Sequence, residues 1–339
     1  MKKLSLEEVI EGIADNRRAH SVIYPLKEIL FIMLTAIICG ATSYVRIEMF
    51  ANSRIEWLKK YLKLENGVPD ANTFRYVMMK ITPEKIHEVF AEWMKSVLGE
   101  LNGVVAIDGK QARRSGDPDK RPLHVVSAFS HEFGLVLGQL SCDEKSNEIT
   151  AIPKLLEMLE LSGCIVTIDA MGTQTEIAQK IREKNADYIL ALKGNQHALY
   201  SDVKLFMDEY HKDIEAKDDD IYAYSIDKAH GRIEKRECFI CNEIGWLHGR
   251  ERWADLNGIG MIISTVEENG QKSEQRHYFI YSCRGMKAGE LMKAKRAHWG
   301  IENSLHWVLD MSFREDDSRI RKDYSAENLV LKNKLCKCA

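Results

Sequence analysis

The stretch that decides the fold starts with Val104-Val-Ala-Ile-Asp-Gly-Lys110, and Ile165-Val-Thr-Ile-Asp-Ala-Met-Gly172 repeats its outline. In both segments a short apolar run, typical of a buried strand, ends in an aspartate, and a glycine close behind allows the backbone to turn. Ligands of open α/β sheets bind at the carboxyl ends of the strands. Asp108 or Asp169 alone is equally compatible with capping the next turn. Two aspartates on neighbouring strands repel each other unless a cation lies between them.

The segments around these two aspartates predict a mixed sheet. Two β-rich runs joined at Phe133-Gly134 follow the first strand, which predicts three antiparallel strands. Strands that alternate with helices come next and predict parallel pairs with right-handed crossovers. The runs in question are 124–130, 135–141, 149–161 (helix), 164–168, 175–184 (helix) and 188–192. Three antiparallel strands followed by two parallel ones are the order of a ribonuclease H-like core, so the predicted fold class is α/β.

Four regions follow along the chain. Residues 1–100 carry helical patterns, including the apolar run 29–41 and a helix that opens at Thr82, and form a predicted DNA-binding or associated domain. The first part of the catalytic core spans 101–199. A β-rich insertion covers 200–284, where Glu268-Asn-Gly-Gln271 is a strong hairpin signal. A catalytic helix and a C-terminal segment occupy 285–339.

A third acid is expected on the helix after the insertion, in His298-Trp-Gly-Ile-Glu302-Asn-Ser-Leu-His306. Trp299, Glu302 and His306 share one helix face at this spacing, which predicts a partly buried Glu302. Burying an acid is costly unless it is paired or binds a metal. A solvated surface glutamate is the alternative. Asp310, Glu315 and Asp316 are rival third ligands that spacing does not exclude.

The composition is that of an ordinary globular protein. The chain has 339 residues, 45% of them hydrophobic, and a formal net charge of −3, so any DNA binding must come from local basic patches. The apolar run 29–41 is shorter than the roughly 20 residues that span a bilayer. Without a signal peptide, and with scattered cysteines, the sequence predicts a cytoplasmic protein that is not bound to a membrane.

Basic residues cluster in three places, and each cluster could contact phosphates or simply form a solvated face. One cluster follows the first aspartate, one lies in the insertion beside Gly231, and one precedes Glu302. The candidate DNA-binding residues are Lys110, Arg113, Arg114, His230, Arg232, Lys295, Arg296 and His298.

Three carboxylates suit Mg²⁺ or Mn²⁺, which prefer oxygen ligands. Two such ions can activate the attacking oxygen and stabilise the leaving oxygen in a phosphoryl displacement. Asp108, Asp169 and a third acid, either Glu302 or one of its rivals, are therefore the candidate catalytic and metal-binding residues, with two ions per site.

Five segments together resemble the H-repeat-associated insertion-sequence transposases of bacteria, which belong to the DDE superfamily. They are Asp108-Gly-Lys, Asp169-Ala-Met-Gly-Thr-Gln, Leu190-Ala-Leu-Lys-Gly-Asn-Gln196, His230-Gly-Arg232 and Trp299-Gly-Ile-Glu302-Asn-Ser-Leu-His-Trp307. The resemblance covers nearly the whole chain. It implies a ribonuclease H-like fold with a β insertion, Mg²⁺ dependence, catalytic acids at Asp108, Asp169 and Glu302, and double-stranded DNA as partner, both element ends and target. It also favours Glu302 over its rivals and implies a homo-oligomer on DNA in the bacterial nucleoid.

Two departures from the family pattern leave alternatives open. Related transposases carry a Tyr and an Arg before the glutamate and a Lys after it, whereas this chain has Lys295, His298 and Leu309. The segment 330–339 also differs from relatives that continue into an apolar helix, as in a truncated copy. The alternatives are an inactive or truncated relative that only binds DNA, and a ribonuclease H-like nuclease without strand transfer.

Overall fold

The computed structural model describes residues 6–13, 15, 17–18, 22–84, 86, 96, 101–116, 121–142, 148–214, 218–229 and 231–338. His230 and most of the helix predicted to open at Thr82 lie outside the described residues. None of the helices in the described ranges is long and apolar enough to cross a membrane.

Short helices make up the described N-terminal region. They are α1 (Leu6–Glu11), α2 (Leu26–Ile38), α3 (Tyr44–Ser53), α4 (Ile55–Leu58) and α5 (Ala71–Lys80). Side-chain oxygens cap two of them, since Ser43 accepts from Arg46 N and Asp70 accepts from Thr73 N. The predicted core helix in the run 29–41 is confirmed, because Ile29 and Ile32 of α2 are fully buried.

The first five strands form the predicted sheet. Antiparallel pairing joins β1 (Gly103–Gln111) to β2 (His124–Ser130) and β2 to β3 (Leu135–Ser141). Parallel pairing joins β1 to β4 (Cys164–Ile168) and β4 to β5 (Asp187–Leu192). The spatial order β3-β2-β1-β4-β5 is that of a ribonuclease H-like core, which confirms the predicted fold class. The crossover helices are α6 (Glu148–Met158) and α7 (Thr175–Glu183).

The insertion extends the same sheet. After α8 (His197–Tyr210) come β6 (Tyr222–Ala229), β7 (Arg232–Cys241), β8 (Gly258–Glu268) and β9 (Gln271–Tyr281). Because β9 pairs antiparallel with β5, the sheet grows to nine strands in the order β3-β2-β1-β4-β5-β9-β8-β7-β6. The predicted hairpin joins β8 to β9, with Asn269 and Gly270 at φ of 52° and 75°, as a type I′ turn requires.

The last helices cover the face of the sheet opposite to α6 and α7. They are α9 (Ala288–Ile301), a π-helical segment (Glu302–His306), α10 (Trp307–Met311) and α11 (Ser325–Cys338). Ile301 and Leu305 are fully buried in one apolar cluster with Ala106 of β1 and Ile29 of α2. The N-terminal helices and the end of the chain therefore share a core with the strand that carries Asp108.

Candidate active site

The two aspartates lie side by side because of the register of β1 and β4. The last parallel partners of these strands are Ile107 and Ile168, and the next residue of each strand is Asp108 and Asp169. Strand β1 continues beyond the predicted end at Ile107, pairing with β2 as far as Gln111. Asp108 thus stays in a rigid strand at the point where β4 leaves it, and this opens a space at the sheet edge.

The loop after β4 is held by hydrogen bonds from the segment that follows β5. Asp169 Oδ1 accepts from Met171 N at 3.0 Å, so this aspartate does organise its own turn. Asn195 Nδ2 donates to Ala170 O at 2.5 Å, and Gln196 Nε2 donates to Thr173 O at 2.9 Å. The Lys-Gly-Asn-Gln segment therefore fixes the loop that presents Asp169.

Glu302 is the first residue of the π-helical segment, directly after α9. Its side chain is exposed, so the expected partial burial was wrong. Ile301 and Leu305 take the buried positions, four residues apart as on an α-helix, whereas Trp299 is 56% exposed. π-Helical segments are frequent at functional sites.

Three further carboxylates act electrostatically on Asp108. Burial raises the pKa of Asp108 to about 7, against the lowering effect of the hydrogen bond that Gly109 N donates to it. The negative charges of Glu148, Asp169 and Glu302 raise this pKa further. Asp169 and Glu302 therefore come within electrostatic reach of Asp108, together with Glu148, which the sequence patterns did not single out.

The donor chemistry of this region fits a hard divalent cation. The partly buried Asp108 has the carboxylates of Glu148, Asp169 and Glu302 within electrostatic reach, and a cation would relieve the repulsion that they exert on it. Within the described ranges, however, no group of three or more His, Cys, Asp or Glu residues is already arranged as a metal site. An exposed Glu302 would have to turn toward the aspartates when the ion binds.

The rival acids belong to a separate ion-pair cluster around Lys110. The Lys110 Nζ atom lies 2.7 Å from Asp310 Oδ1, 3.3 Å from Asp316 Oδ1 and 3.5 Å from Glu315 Oε1. The Lys110 side chain is only 8% exposed, and Glu315 is 3% exposed. These acids therefore have a protein cation as partner, and Lys110 presents little surface to DNA.

Two histidines, His298 of α9 and His306 of the π-helical segment, have lowered pKa values. His298 Nδ1 lies 3.0 Å from Thr167 Oγ1, and burial lowers the pKa of this histidine to about 4. His306 Nδ1 lies 3.7 Å from Asp108 Oδ2, and burial lowers its pKa to about 3. His298, predicted to bind DNA, is therefore uncharged near neutral pH and lies against β4 beneath the site.

Lys295 is the predicted DNA-binding residue nearest to the acids. It is half-buried, and desolvation lowers its pKa while the charges of Glu302, Asp169 and Asp108 raise it. Lys193 follows β5, and the β5–β9 register, in which Leu192 pairs with Tyr278, sets it beside His277. Burial lowers the pKa of His277, and the charges of Lys295 and Lys193 lower it further. In the ranges that the structure describes, neither lysine forms a salt bridge, so both ammonium groups are available to an anion.

The remaining predicted DNA-binding residues lie on the surface near acids. Arg113 is 80% exposed, 3.2 Å from Asp316, and Arg114 Nη1 lies 3.6 Å from Asp317. The other two pairs are Arg232 with Glu234 at 3.4 Å and Arg296 with Asp227 at 3.1 Å. Exposed pairs of this kind are weak, so they can open to a phosphate.

Comparison with known families identifies the family to which this chain belongs. A family model described as "Transposase DDE domain" matches residues 100–336. The chain belongs to the DDE transposase family. A second model, "DDE_Tnp_1-associated", matches residues 7–94 of this transposase, the region of the N-terminal helices. The resemblance identified from the sequence is therefore confirmed.

Several bacterial relatives cover most of this DDE transposase. "Putative transposase YncI" of Escherichia coli O157:H7 is 41% identical over 332 residues, which are 95% of this chain and 84% of the relative. "H repeat-associated putative transposase YhhI" of Escherichia coli K12 is 38% identical over 335 residues, 96% of this chain and 88% of the relative. A solved structure, the piggyBac transposase synaptic complex with hairpin DNA, covers 97% of this chain and 72% of its own at 10% identity and a TM-score of 0.44.

Proposed function

We propose that this DDE transposase cuts and rejoins the DNA ends of an insertion sequence in a reaction that depends on Mg²⁺ or Mn²⁺. The observation that supports the proposal best is the strand register. It sets Asp108 and Asp169 at neighbouring positions on one sheet edge, within electrostatic reach of Glu302.

In this proposal Asp108, Asp169 and Glu302 hold two divalent cations. When bound, these ions would supply the charge that activates an attacking oxygen and stabilises a leaving oxygen in a phosphoryl displacement. Asp108 lies in a rigid strand and fixes the position of the centre. The hydrogen bonds from Asn195 and Gln196 keep the Asp169 loop in place.

Lys193 and Lys295 bind the phosphates that flank the bond to be cut. Lys295 lies within electrostatic reach of the acids and of Lys193, and neither lysine forms a salt bridge in the described part of the chain. Phosphates are the anions that a carboxylate centre of this kind must hold close. The N-terminal helices and the exposed Arg113, Arg114 and Arg296 extend the DNA contact. The DNA partners are the element ends and the target, bound by a homo-oligomer at the bacterial nucleoid.

The chemical test is cleavage of an oligonucleotide that carries the flanking repeats, in the presence of Mn²⁺. Asp108→Asn, Asp169→Asn and Glu302→Gln should each remove nearly all cleavage while melting temperatures stay close to that of the wild type. Asp310→Asn is the matched comparison, because its carboxylate pairs with Lys110. Cleavage that survives Glu302→Gln and is lost in Asp310→Asn would assign the third ligand to Asp310.

Two further assays separate the alternatives. Pre-cut ends incubated with target DNA should be joined by a transposase, whereas a nuclease without strand transfer would only hydrolyse. An inactive relative that only binds DNA is a second candidate, because "Inactive transposase YbfQ" of Escherichia coli K12 is 33% identical over 78 residues of this chain. Such a protein would bind DNA and show no Mn²⁺ uptake by calorimetry.

A further inference from the structure

Glu148, the first residue of α6, is a buried carboxylate next to the site. Its residue exposure is 7%, and its Oε1 atom lies 2.8 Å from His124 Nε2. Within the described chain no Lys or Arg forms a salt bridge with it. A carboxylate buried with one histidine as its ionic partner keeps most of its charge uncompensated.

Gly109 makes room for this carboxylate beside Asp108. A Cβ atom at position 109 would overlap both the carboxylate of Glu148 and the ring of His124. The φ of Gly109 is not in the left-handed region, so the backbone conformation does not require a glycine here. A glycine is required because a side chain would leave no room for Glu148 and His124. Glu148 therefore occupies the place of the missing side chain, one residue along β1 from Asp108.

The close approach has an electrostatic consequence. Of the charged groups that raise the pKa of Asp108, Glu148 contributes most, ahead of Asp169 and Glu302. The carboxylates of Asp108 and Glu148 repel each other when both are charged, and a cation between them would relieve that repulsion. The proposed reaction requires a divalent cation, and this cation would neutralise the two carboxylates.

We propose that Glu148 is a fourth carboxylate of the active centre, which helps to hold the cation, and that His124 is its positioning residue. This inference rests on the proposed function. It adds Glu148 to the three acids of the family pattern. Glu148 comes from α6, which packs on the face of the sheet opposite to the helix that carries Glu302.

The experiment is a calorimetric titration of Mn²⁺ into the full-length protein without DNA. Glu148→Gln keeps the size of the side chain and removes its charge, and it should weaken Mn²⁺ binding by about 10-fold or more, the effect expected for a residue that holds or supports a metal ligand. Glu176→Gln is the matched control, because Glu176 lies in the first turn of the next crossover helix, α7, and is exposed. The control should bind Mn²⁺ like the wild type.

Two further variants test how Glu148 is positioned. Gly109→Ala should also weaken Mn²⁺ binding, because the added methyl group displaces Glu148 and His124. Glu148→Asp keeps the charge, shortens the reach and should give an intermediate affinity; it also tests the inference if Glu148→Gln does not fold.

The outcomes separate this inference from the proposed function. Wild-type Mn²⁺ affinity in both Glu148→Gln and Glu148→Asp, with loss in Asp108→Asn, would overturn the role of Glu148 and leave the transposase proposal intact. A wild-type protein that takes up no Mn²⁺ and cuts no DNA would overturn both.

Discussion

Lys110 Nζ lies 2.7 Å from Oδ1 of Asp310, and this ion pair connects β1, the strand of Asp108, to α10. The pair is part of a cluster with Glu315 and Asp316, in which Lys110 and Glu315 are almost fully buried. Lys110, two residues from a proposed metal ligand, thus stabilises the packing of α10 against β1. Its ammonium group is paired with these acids.

Lys110→Ala should destabilise the protein, because Asp310 and the buried Glu315 would lose the ammonium group that pairs with them. Breaking a buried ion pair costs about 3–5 kcal/mol. Urea unfolding measures the loss. Lys59→Ala removes an exposed pair with Glu56 and should cost no more than about 1 kcal/mol. A Lys110→Ala protein of wild-type stability with weakened DNA binding would show that the ammonium group faces DNA.

The raised pKa of Asp108 predicts a pH dependence of stability in the metal-free protein. The pKa of Asp108 is about 7 in the folded state, against 3.8 for an aspartate in the unfolded chain. At pH values between these two, the folded state therefore holds more protons than the unfolded state. This group's contribution to the free energy of unfolding therefore falls as the pH rises from about 4 to about 7. Asp108→Asn should lose less stability between pH 5 and pH 8 than the wild type.

The measurement is urea unfolding at both pH values with EDTA present. Asp213→Asn is the control, since Asp213 is an exposed aspartate and its removal should leave the wild-type difference unchanged. If Asp108→Asn and the wild type lose stability equally, Asp108 is not the group responsible. Mn²⁺ affinity of the wild type should weaken below about pH 7, because the ligand must be deprotonated.

Local patterns in the sequence predicted the first five strands of the sheet. The position of the other four strands depends on pairing between segments that lie far apart in the chain. The apolar runs and glycines around Asp108 and Asp169 are local signals, so the order of the first five strands followed from them. The antiparallel pairing of Leu192 with Tyr278 joins segments far apart in the chain, and no local pattern reports it. The insertion was therefore predicted as a separate β-rich region, although it continues the sheet.

The site was predictable only where a residue ends a strand or lies in a family motif. Glu148 begins a helix in a polar stretch, and its closeness to Asp108 depends on how α6 packs over Gly109. His277 lies between the polar first half of β9 and its buried apolar end, and only the sheet register sets it beside Lys193. Glu302 follows the buried Ile301 in the sequence but lies on the exposed side of the helix, so its apolar sequence neighbours misled the prediction of its burial.

Lys295→Ala should weaken DNA binding and make it less dependent on salt. A lysine that neutralises one phosphate contributes close to one unit to the slope of log affinity against log salt concentration. Fluorescence anisotropy with a fixed duplex at several salt concentrations gives this slope. Lys212→Ala is the control, because Lys212 is exposed and pairs with Glu209. Equal slopes in Lys295→Ala and the wild type would show that Lys295 meets no phosphate and acts on the acids alone.

Asn328→Ala tests whether the C-terminal helix is an integral part of the fold. The Asn328 side chain is fully buried in α11, and its Nδ2 atom donates to Met78 O and Ile81 O at the end of α5. Removing the amide leaves two buried carbonyl groups without a donor, at a cost of about 1–3 kcal/mol each. Urea unfolding should therefore show a loss of at least about 2 kcal/mol, whereas Asn52→Ala, at an exposed bond within α3, should change stability little. Wild-type stability in Asn328→Ala would mean that α11 contributes nothing to holding the N-terminal helices against the sheet, and the shared core around Ile29 and Leu331 would then have to form without it.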